Sequence, residues 1–165
     1  MITGFACGCF DMFHIGHLNL IRRAREQCDK LVVGLNSDEF MYSYKHKYPI
    51  IPAKDRKEML KACRYVDDVI IKDISDSCFS LWQKYHYDKL FIGSDSRGSR
   101  QYAELDILLR AVNAEVVILP YTEEISSSIL RKRLNERINE ITPPPPTDTQ
   151  EYPYISCVNE VYSTT

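Results

Sequence analysis

Two histidines, His14 and His17, stand in the stretch Gly8-Cys9-Phe10-Asp11-Met12-Phe13-His14-Ile15-Gly16-His17, together with a carboxylate, Asp11. A spacing of three puts both imidazoles on the same side of a first helical turn. Gly16 between them carries no side chain, so a ligand can approach the backbone closely. At a strand-to-helix turn the unpaired N–H groups of the new helix, with its dipole, form an anion site above the strand end. Two imidazoles, an acid and free N–H groups suit a phosphate whose charge is being rearranged. Two other readings of the same residues stay open. A histidine pair at i, i+3 is half a metal site, with Cys7 and Cys9 nearby, although Cys-x-Cys is not the usual zinc spacing. A structural turn is the other, with His14 capping the helix and His17 packed.

Further groups fit phosphate chemistry. Lys45 and Lys47 alternate, so in extended backbone they point the same way. They read either as two ammonium groups closing over phosphates or as part of a solvated loop. Ser126, Ser127 and Ser128 stand together before an apolar-periodic run. They offer a helix cap, and equally hydroxyl and N–H groups for a phosphate. Polar turns also follow two apolar runs, at Asn36-Ser37-Asp38 and at residues 94–99.

Regular elements must place these groups. Apolar runs at residues 2–7, 30–36, 69–72, 89–93 and 115–119 read as buried strands. Helical periodicity covers residues 18–28, 53–63, 76–86, 101–113 and 129–141. Residues 39–52 read as a long loop, a length that in a compact domain is usually functional or mobile. Strands alternating with helices predict an α/β fold with a five-stranded parallel sheet covered on both faces. The polar turns then gather at the carboxyl edge of the sheet, where open α/β sheets bind ligands. Neither G-x-G-x-x-G nor G-x-x-x-x-G-K-[ST] is present, which gives no support to a dinucleotide-dependent dehydrogenase or a P-loop enzyme.

The chain has 165 residues, with a net charge of −2. Its length suits one domain over residues 1–141. Four consecutive prolines, Pro143 to Pro146, then favour a stiff, extended segment. The tail, 142–165, is rich in Thr, Ser, Tyr and acids and is expected to be disordered or loosely docked. No basic stripe points to nucleic acid, and no apolar run approaches membrane-spanning length. The start of the chain lacks the pattern of a signal peptide. The six cysteines are scattered and read as thiols in a reducing cytoplasm.

Gly8-Cys9-Phe10-Asp11 with His14-Ile15-Gly16-His17 resembles the GxFDxxHxGH signature of nucleotidyltransferases of the cytidylyltransferase type. Arg64-Tyr65-Val66-Asp67 resembles that family's RYVD element. Thr122 to Ser128 is similar to its RTEGIST[TS] element. The resemblance runs in order through residues 1 to about 138. Within the family it is strongest to the glycerol-3-phosphate cytidylyltransferases, which are short, single-domain and usually homodimeric.

The resemblance implies a Rossmann-like HxGH nucleotidyltransferase fold and a reaction. A small phosphate monoester, sn-glycerol 3-phosphate first, attacks the α-phosphorus of CTP and gives a CDP-alcohol and pyrophosphate. His14 and His17 would hold the α- and β-phosphate oxygens, and Lys45 and Lys47 would neutralise the triphosphate and the incoming phosphate. Asp11 would orient a Mg²⁺ shell or a histidine, and Mg²⁺ is implied with the nucleotide. The nucleotide side would comprise Cys9, Phe10, Gly16, Arg64, Asp95 near the base, Tyr121, Thr122, Ile125, Ser126 and Ser127. The acceptor side would comprise Lys47, Asp38 and Arg56. The chain departs from the family pattern at Tyr121 (arginine in the family), Glu124 (glycine) and Ser96 (often tryptophan). The serine-rich element also resembles phosphopantetheine adenylyltransferases, and Cys9 with residues 48–56 the sugar-phosphate adenylyltransferases of heptose synthesis. Two alternatives follow: an adenylyltransferase of the same fold using ATP and a sugar phosphate or similar ester, and a catalytically weak nucleotide-binding module acting through its tail.

Overall fold

Apolar residues on both faces of a strand require cover on both faces, and the strands carry that pattern. In β1 (Thr3–Gly8) Phe5 faces one layer and Ala6 the other; in β2 (Lys30–Asn36) Val32 and Val33 alternate in the same way. β3 (Asp68–Lys72), β4 (Lys89–Gly93) and β5 (Glu115–Leu119) complete an all-parallel sheet in the order β3-β2-β1-β4-β5. A computed structural model describes residues 1–94 and 100–141. Asp95, Ser96 and the tail, 142–165, lie outside the described residues.

On one face Ile21 and Ala24 of α1 (Ile15–Arg25) and Leu60 of α3 (Ala53–Lys61) pack with Ala6, Val33 and Phe91. On the other, Leu81 of α4 (Cys78–Tyr85) and Leu105 and Leu109 of α5 (Arg100–Arg110) pack with Phe5, Val32 and Leu90. Layers on both faces bury the sheet, as parallel sheets require. The chain divides into two units, residues 1–130 and 131–165; α6 (Ser127–Ile141) begins in the first, and its continuation is the described part of the second. There Lys132 and Glu136 form an i,i+4 ion pair at 3.8 Å. No helix among the described residues is long and apolar enough to cross a membrane.

The expected loop at 39–52 is in part a helix, α2 (Asp38–Lys45). Ser37 caps it, its Oγ accepting from the Phe40 N–H at 3.0 Å, and Asp38 and Glu39 face the positive end of the helix dipole. A cap followed by acids was a legible start signal; the tyrosines after it, weaker helix formers, obscured it. His46 closes the helix in the left-handed region, at φ 52°. Lys45 and Lys47 therefore lie on either side of a left-handed residue, and the extended alternation expected of them does not occur.

Candidate active site

β1 connects through α1 to β2 on one side, while β4 pairs with β1 on the other. The crevice at the carboxyl end of β1 is thus the topological switch point of the sheet. Phe10 and Met12 adopt left-handed backbone there, at φ 52° and 51°, and turn the chain from strand to helix. Asp11 is buried, and its carboxylate accepts the N–H groups of Ile51 (2.9 Å) and Ile50 (3.0 Å). Its carbonyl accepts the Ser127 hydroxyl at 2.7 Å. Asp11 thus ties the turn to residues 50–51 and to the start of α6, which fixes the geometry of the site, and its charge lies close enough to His17 to act on that ring.

His14 is the N-cap of α1, and its Nδ1 accepts the Gly16 N–H at 3.1 Å. An accepting Nδ1 puts the proton of the neutral ring on Nε2. The His17 ring stacks on it, with centroids 3.7 Å apart, and Phe10 meets His17 edge-on at 5.2 Å. Among the described residues His17 Nδ1 is buried without a hydrogen-bond partner. An unpaired lone pair is cheaper than an unpaired buried N–H, so this ring also carries its proton on Nε2. Burial lowers the affinity of both rings for a second proton, and for His17, with His14 close by, it brings the pKa to about 3. The pair consists of neutral hydrogen-bond donors near pH 7.

That burial makes stability pH-dependent. Below pH 6.5 the unfolded chain takes up a proton at His17 that the native chain refuses until about pH 3, so stability falls as pH falls through that window. The expected slope from this one group is about 1 kcal/mol per pH unit. Urea denaturation at pH 7, 6 and 5 should show that slope in the native protein and lose it in His17→Asn.

Gly16 has a nearer reason than ligand approach. A Cβ there would stand 2.9 Å from His14 Cε1 and 3.0 Å from Nδ1, with Ile125 Cγ2 at 3.3 Å. The glycine admits the capping imidazole. Phe10 is 4 % exposed and packs in the core, so its side chain supports His17 and offers nothing to a nucleotide.

The three residues assigned to an acceptor part company. The Arg56 side chain is fully buried and its guanidinium is used internally, donating to the carbonyls of Ile51 (2.8 Å), Asn36 (3.1 Å) and Cys9 and to the Asp38 carboxylate. Asp38 also accepts the Ala53 N–H. Arg56 and Asp38 are therefore a positioning pair that joins the ends of β1 and β2 to the start of α3. Lys47 is exposed, and among the described residues no contact ties it to the turn. Lys45 lies near enough for its ammonium to act on the Cys9 thiol, whose pKa burial raises.

Arg64 lies at the wrong end of the sheet for this site. It follows α3 and precedes β3, at the amino edge, where its guanidinium lies 4.8 Å from the Tyr65 ring centroid. Asp67 of the same element accepts the Leu31 N–H at 2.6 Å and caps the start of β2. The element is a fold device in the single chain.

After β5 the chain returns to the histidines. Thr122 Oγ1 accepts from Asn19 of α1 at 3.1 Å, and the Tyr121 hydroxyl donates to the Ile125 carbonyl at 3.3 Å. Ser126 Oγ accepts the Ile129 N–H at 3.1 Å and caps α6. With Ser127 bound to Asp11, two of the three serine hydroxyls serve the fold, and the N–H groups of Ser127 and Ser128 stay available at the helix start. Asn19, Ile50 and Ile51 are contributors that sequence reasoning missed; two act through backbone N–H groups, which leave no sequence signal. Glu124 sits at φ 66°. A left-handed non-glycine residue costs about 1–2 kcal/mol, partly offset by the chain entropy of glycine, about 0.5–1 kcal/mol. Glu124→Gly should therefore raise stability by up to about 1 kcal/mol, read as a higher urea midpoint at unchanged slope.

Among the described residues no three His, Cys, Asp or Glu side chains converge as metal ligands. A cleft of about 460 Å³ opens at the opposite, amino edge, lined by Ile2, Asp88, Lys89, Arg110 and Glu115, and contains none of the histidine chemistry.

A family model described as cytidylyltransferase-like matches residues 5–133. The chain is 36 % identical over 114 residues to an FAD synthase of Thermococcus kodakarensis, covering 69 % of this chain and 76 % of the relative. It is 37 % identical over 127 residues to a glycerol-3-phosphate cytidylyltransferase of Staphylococcus aureus, covering 77 % and 90 %. In fold it is similar to a lipopolysaccharide core biosynthesis protein of Thermoplasma volcanium, with a TM-score of 0.64 at 24 % identity over 76 % of this chain and 99 % of that one.

Proposed function

The chain belongs to the cytidylyltransferase-like family, and on that premise we propose that it transfers CMP from CTP to a small phosphate monoester, sn-glycerol 3-phosphate first, releasing pyrophosphate. The observation that carries this reading is the stacked imidazole pair at the switch point, both rings kept neutral near pH 7 by burial and the His14 Nδ1 accepting the Gly16 N–H. Such donors can follow charge as it moves onto the bridging and non-bridging phosphate oxygens without giving up a proton.

No general base is required, because a phosphate monoester is largely dianionic at pH 7. What the reaction needs is in-line positioning and stabilisation of developing charge. In this proposal His14 and His17 donate to the α- and β-phosphates. The N–H groups of Ser127 and Ser128 receive the outgoing pyrophosphate, and Lys45 supplies positive charge near Cys9. Asp11, Gly16, Arg56 and Asp38 hold these groups in place. Mg²⁺ would neutralise phosphate charge when bound to the nucleotide; the described side chains form no ligand set for it, and no step is assigned to it.

A second reading, adenylyl transfer from ATP, is favoured by the likeness to FAD synthases. Forming FAD also joins a nucleotidyl group to a phosphate monoester, so the two readings share the histidine pair and differ in base and acceptor. The test is pyrophosphate release with Mg²⁺ and each of CTP, ATP, UTP and GTP, against glycerol 3-phosphate, phosphocholine, phosphoethanolamine, sugar phosphates and flavin mononucleotide. Turnover with CTP and one non-flavin ester supports the first reading. Turnover with ATP alone replaces it with the second. Silence across the panel overturns both. A second copy of the chain is proposed as partner, as in the resembling family; sedimentation of the purified protein tests it.

A further inference from the structure

Three consecutive residues after β5 are tied down. The Pro120 carbonyl accepts from the Arg23 guanidinium of α1 at 2.6 Å, and Thr122 accepts from Asn19 of the same helix at 3.1 Å. Between them the Tyr121 N–H donates to Ser94 Oγ at 3.0 Å, which joins the end of β5 to the residue that follows β4. The Tyr121 hydroxyl donates to the Ile125 carbonyl at 3.3 Å. The side chain is thus anchored at both ends, by its own backbone and by its hydroxyl.

These ties hold the ring without covering it. Tyr121 is 44 % exposed, and among the described residues no other aromatic ring stacks on it. Its place is the carboxyl edge of the sheet, on the β4–β5 side of the crevice. Ile125, which accepts the hydroxyl, borders the histidine turn: its Cγ2 stands 3.3 Å from a Cβ placed on Gly16. The other side of the crevice, at the end of β2, is taken by the Arg56–Asp38 pair. An aromatic face that is already ordered binds a flat group at small entropic cost. In a nucleotide whose phosphates lie at the histidines, the flat group is the base, one ribose away from the α-phosphate. The resembling pattern carries arginine at this position. Tyrosine removes that cation and its fork of donors and supplies a neutral ring. Stacking needs a π-face and no particular donor or acceptor, so it serves every base.

We infer that Tyr121 is a stacking platform for the nucleobase, and that the platform accepts purine and pyrimidine alike. The inference rests on nucleotidyl transfer at the histidine pair and is the same whether CTP or ATP is the donor. The platform adds affinity through the face of the base and leaves the choice between bases to other groups.

The test is calorimetric titration of the full chain with CTP, ATP and inorganic tripolyphosphate, each with Mg²⁺, in the native protein, Tyr121→Leu and Tyr121→Phe. No acceptor ester is present, so turnover does not intrude. Tyr121→Leu should weaken both nucleotides by about 5–150-fold, the range for one base–aromatic stack, and leave tripolyphosphate affinity unchanged. Tyr121→Phe loses the hydroxyl tie but keeps the ring, and should retain most of the affinity for both nucleotides. In the unaltered protein, added CTP should move the Tyr121 ring-proton resonances upfield, the resonances being assigned by their absence in Tyr121→Leu. An equal loss for tripolyphosphate would make Tyr121 a support of the phosphate site and overturn the inference. Unchanged nucleotide affinity in Tyr121→Leu, a loss confined to one of the two nucleotides, or ring protons that do not move would overturn it too. Turnover of CTP beside unchanged binding by Tyr121→Leu would leave the proposed reaction standing and remove the platform; the expected losses without turnover would do the reverse.

Discussion

Replacing His17 by alanine should lower turnover by about 10²–10³ while nucleotide affinity changes by less than about tenfold. The size is that expected for removing one pre-placed donor to transition-state charge, about 2.7–4 kcal/mol. The ring makes no hydrogen bond through Nδ1 among the described residues, and its stacking on His14 and contacts with Phe10 and Phe13 orient it. It is positioned by apolar surfaces, so what it contributes to a ligand comes through Nε2. His17→Asn keeps a short donor without the ring and should recover part of the loss. Single-turnover rates and nucleotide titration separate the cases. Equal falls in rate and affinity would give His17 a ground-state role, since only interactions that strengthen in the transition state raise turnover alone. An unchanged rate would remove the histidine pair from the mechanism.

The sheet was legible because buried strands and amphipathic helices have different periods, and three strands match the expected limits: Lys30–Asn36, Lys89–Gly93 and Glu115–Leu119. The helix Asp38–Lys45 was hidden because Tyr42, Tyr44 and two lysines read as polar loop while Ser37 and Asp38 carried the real signal. At the turn, residue types were legible and partners were not. Gly16 was read as room for a ligand, whereas the first atoms a side chain would meet belong to His14. Asp11 was read as orienting a Mg²⁺ shell or a histidine, whereas both its carboxylate oxygens hold backbone N–H groups about forty residues away. Such long-range main-chain contacts carry no local pattern. Arg56 shows the same limit in reverse: a charged residue on a helix whose surface looks solvated is 1 % exposed.

That burial makes Arg56 the position where one substitution should do most damage to the fold. Its guanidinium serves the Cys9, Asn36 and Ile51 carbonyls and the Asp38 carboxylate. Removing one partner of a buried ion pair costs about 3–5 kcal/mol, a large share of the roughly 5–15 kcal/mol that holds an ordinary domain together. Arg56→Met should cost this amount in urea denaturation at pH 7. Arg56→Lys keeps the charge but not the planar fork of donors, and should cost about 1–3 kcal/mol, the range for stranded polar groups. Asp38→Asn in the Arg56→Met background should cost less than in the native background, because the carboxylate has already lost its partner; the difference is the coupling of the pair. Additive losses, or a cost below 1 kcal/mol for Arg56→Met, would show that the guanidinium does not hold these strand ends together. Activity adds a further reading. Ile51, whose carbonyl Arg56 holds, also donates its N–H to Asp11, and Asp11 carries the turn into His14. Below its melting point, folded Arg56→Met should therefore turn over more slowly than the native protein, through a looser histidine turn and without any contact between Arg56 and substrate.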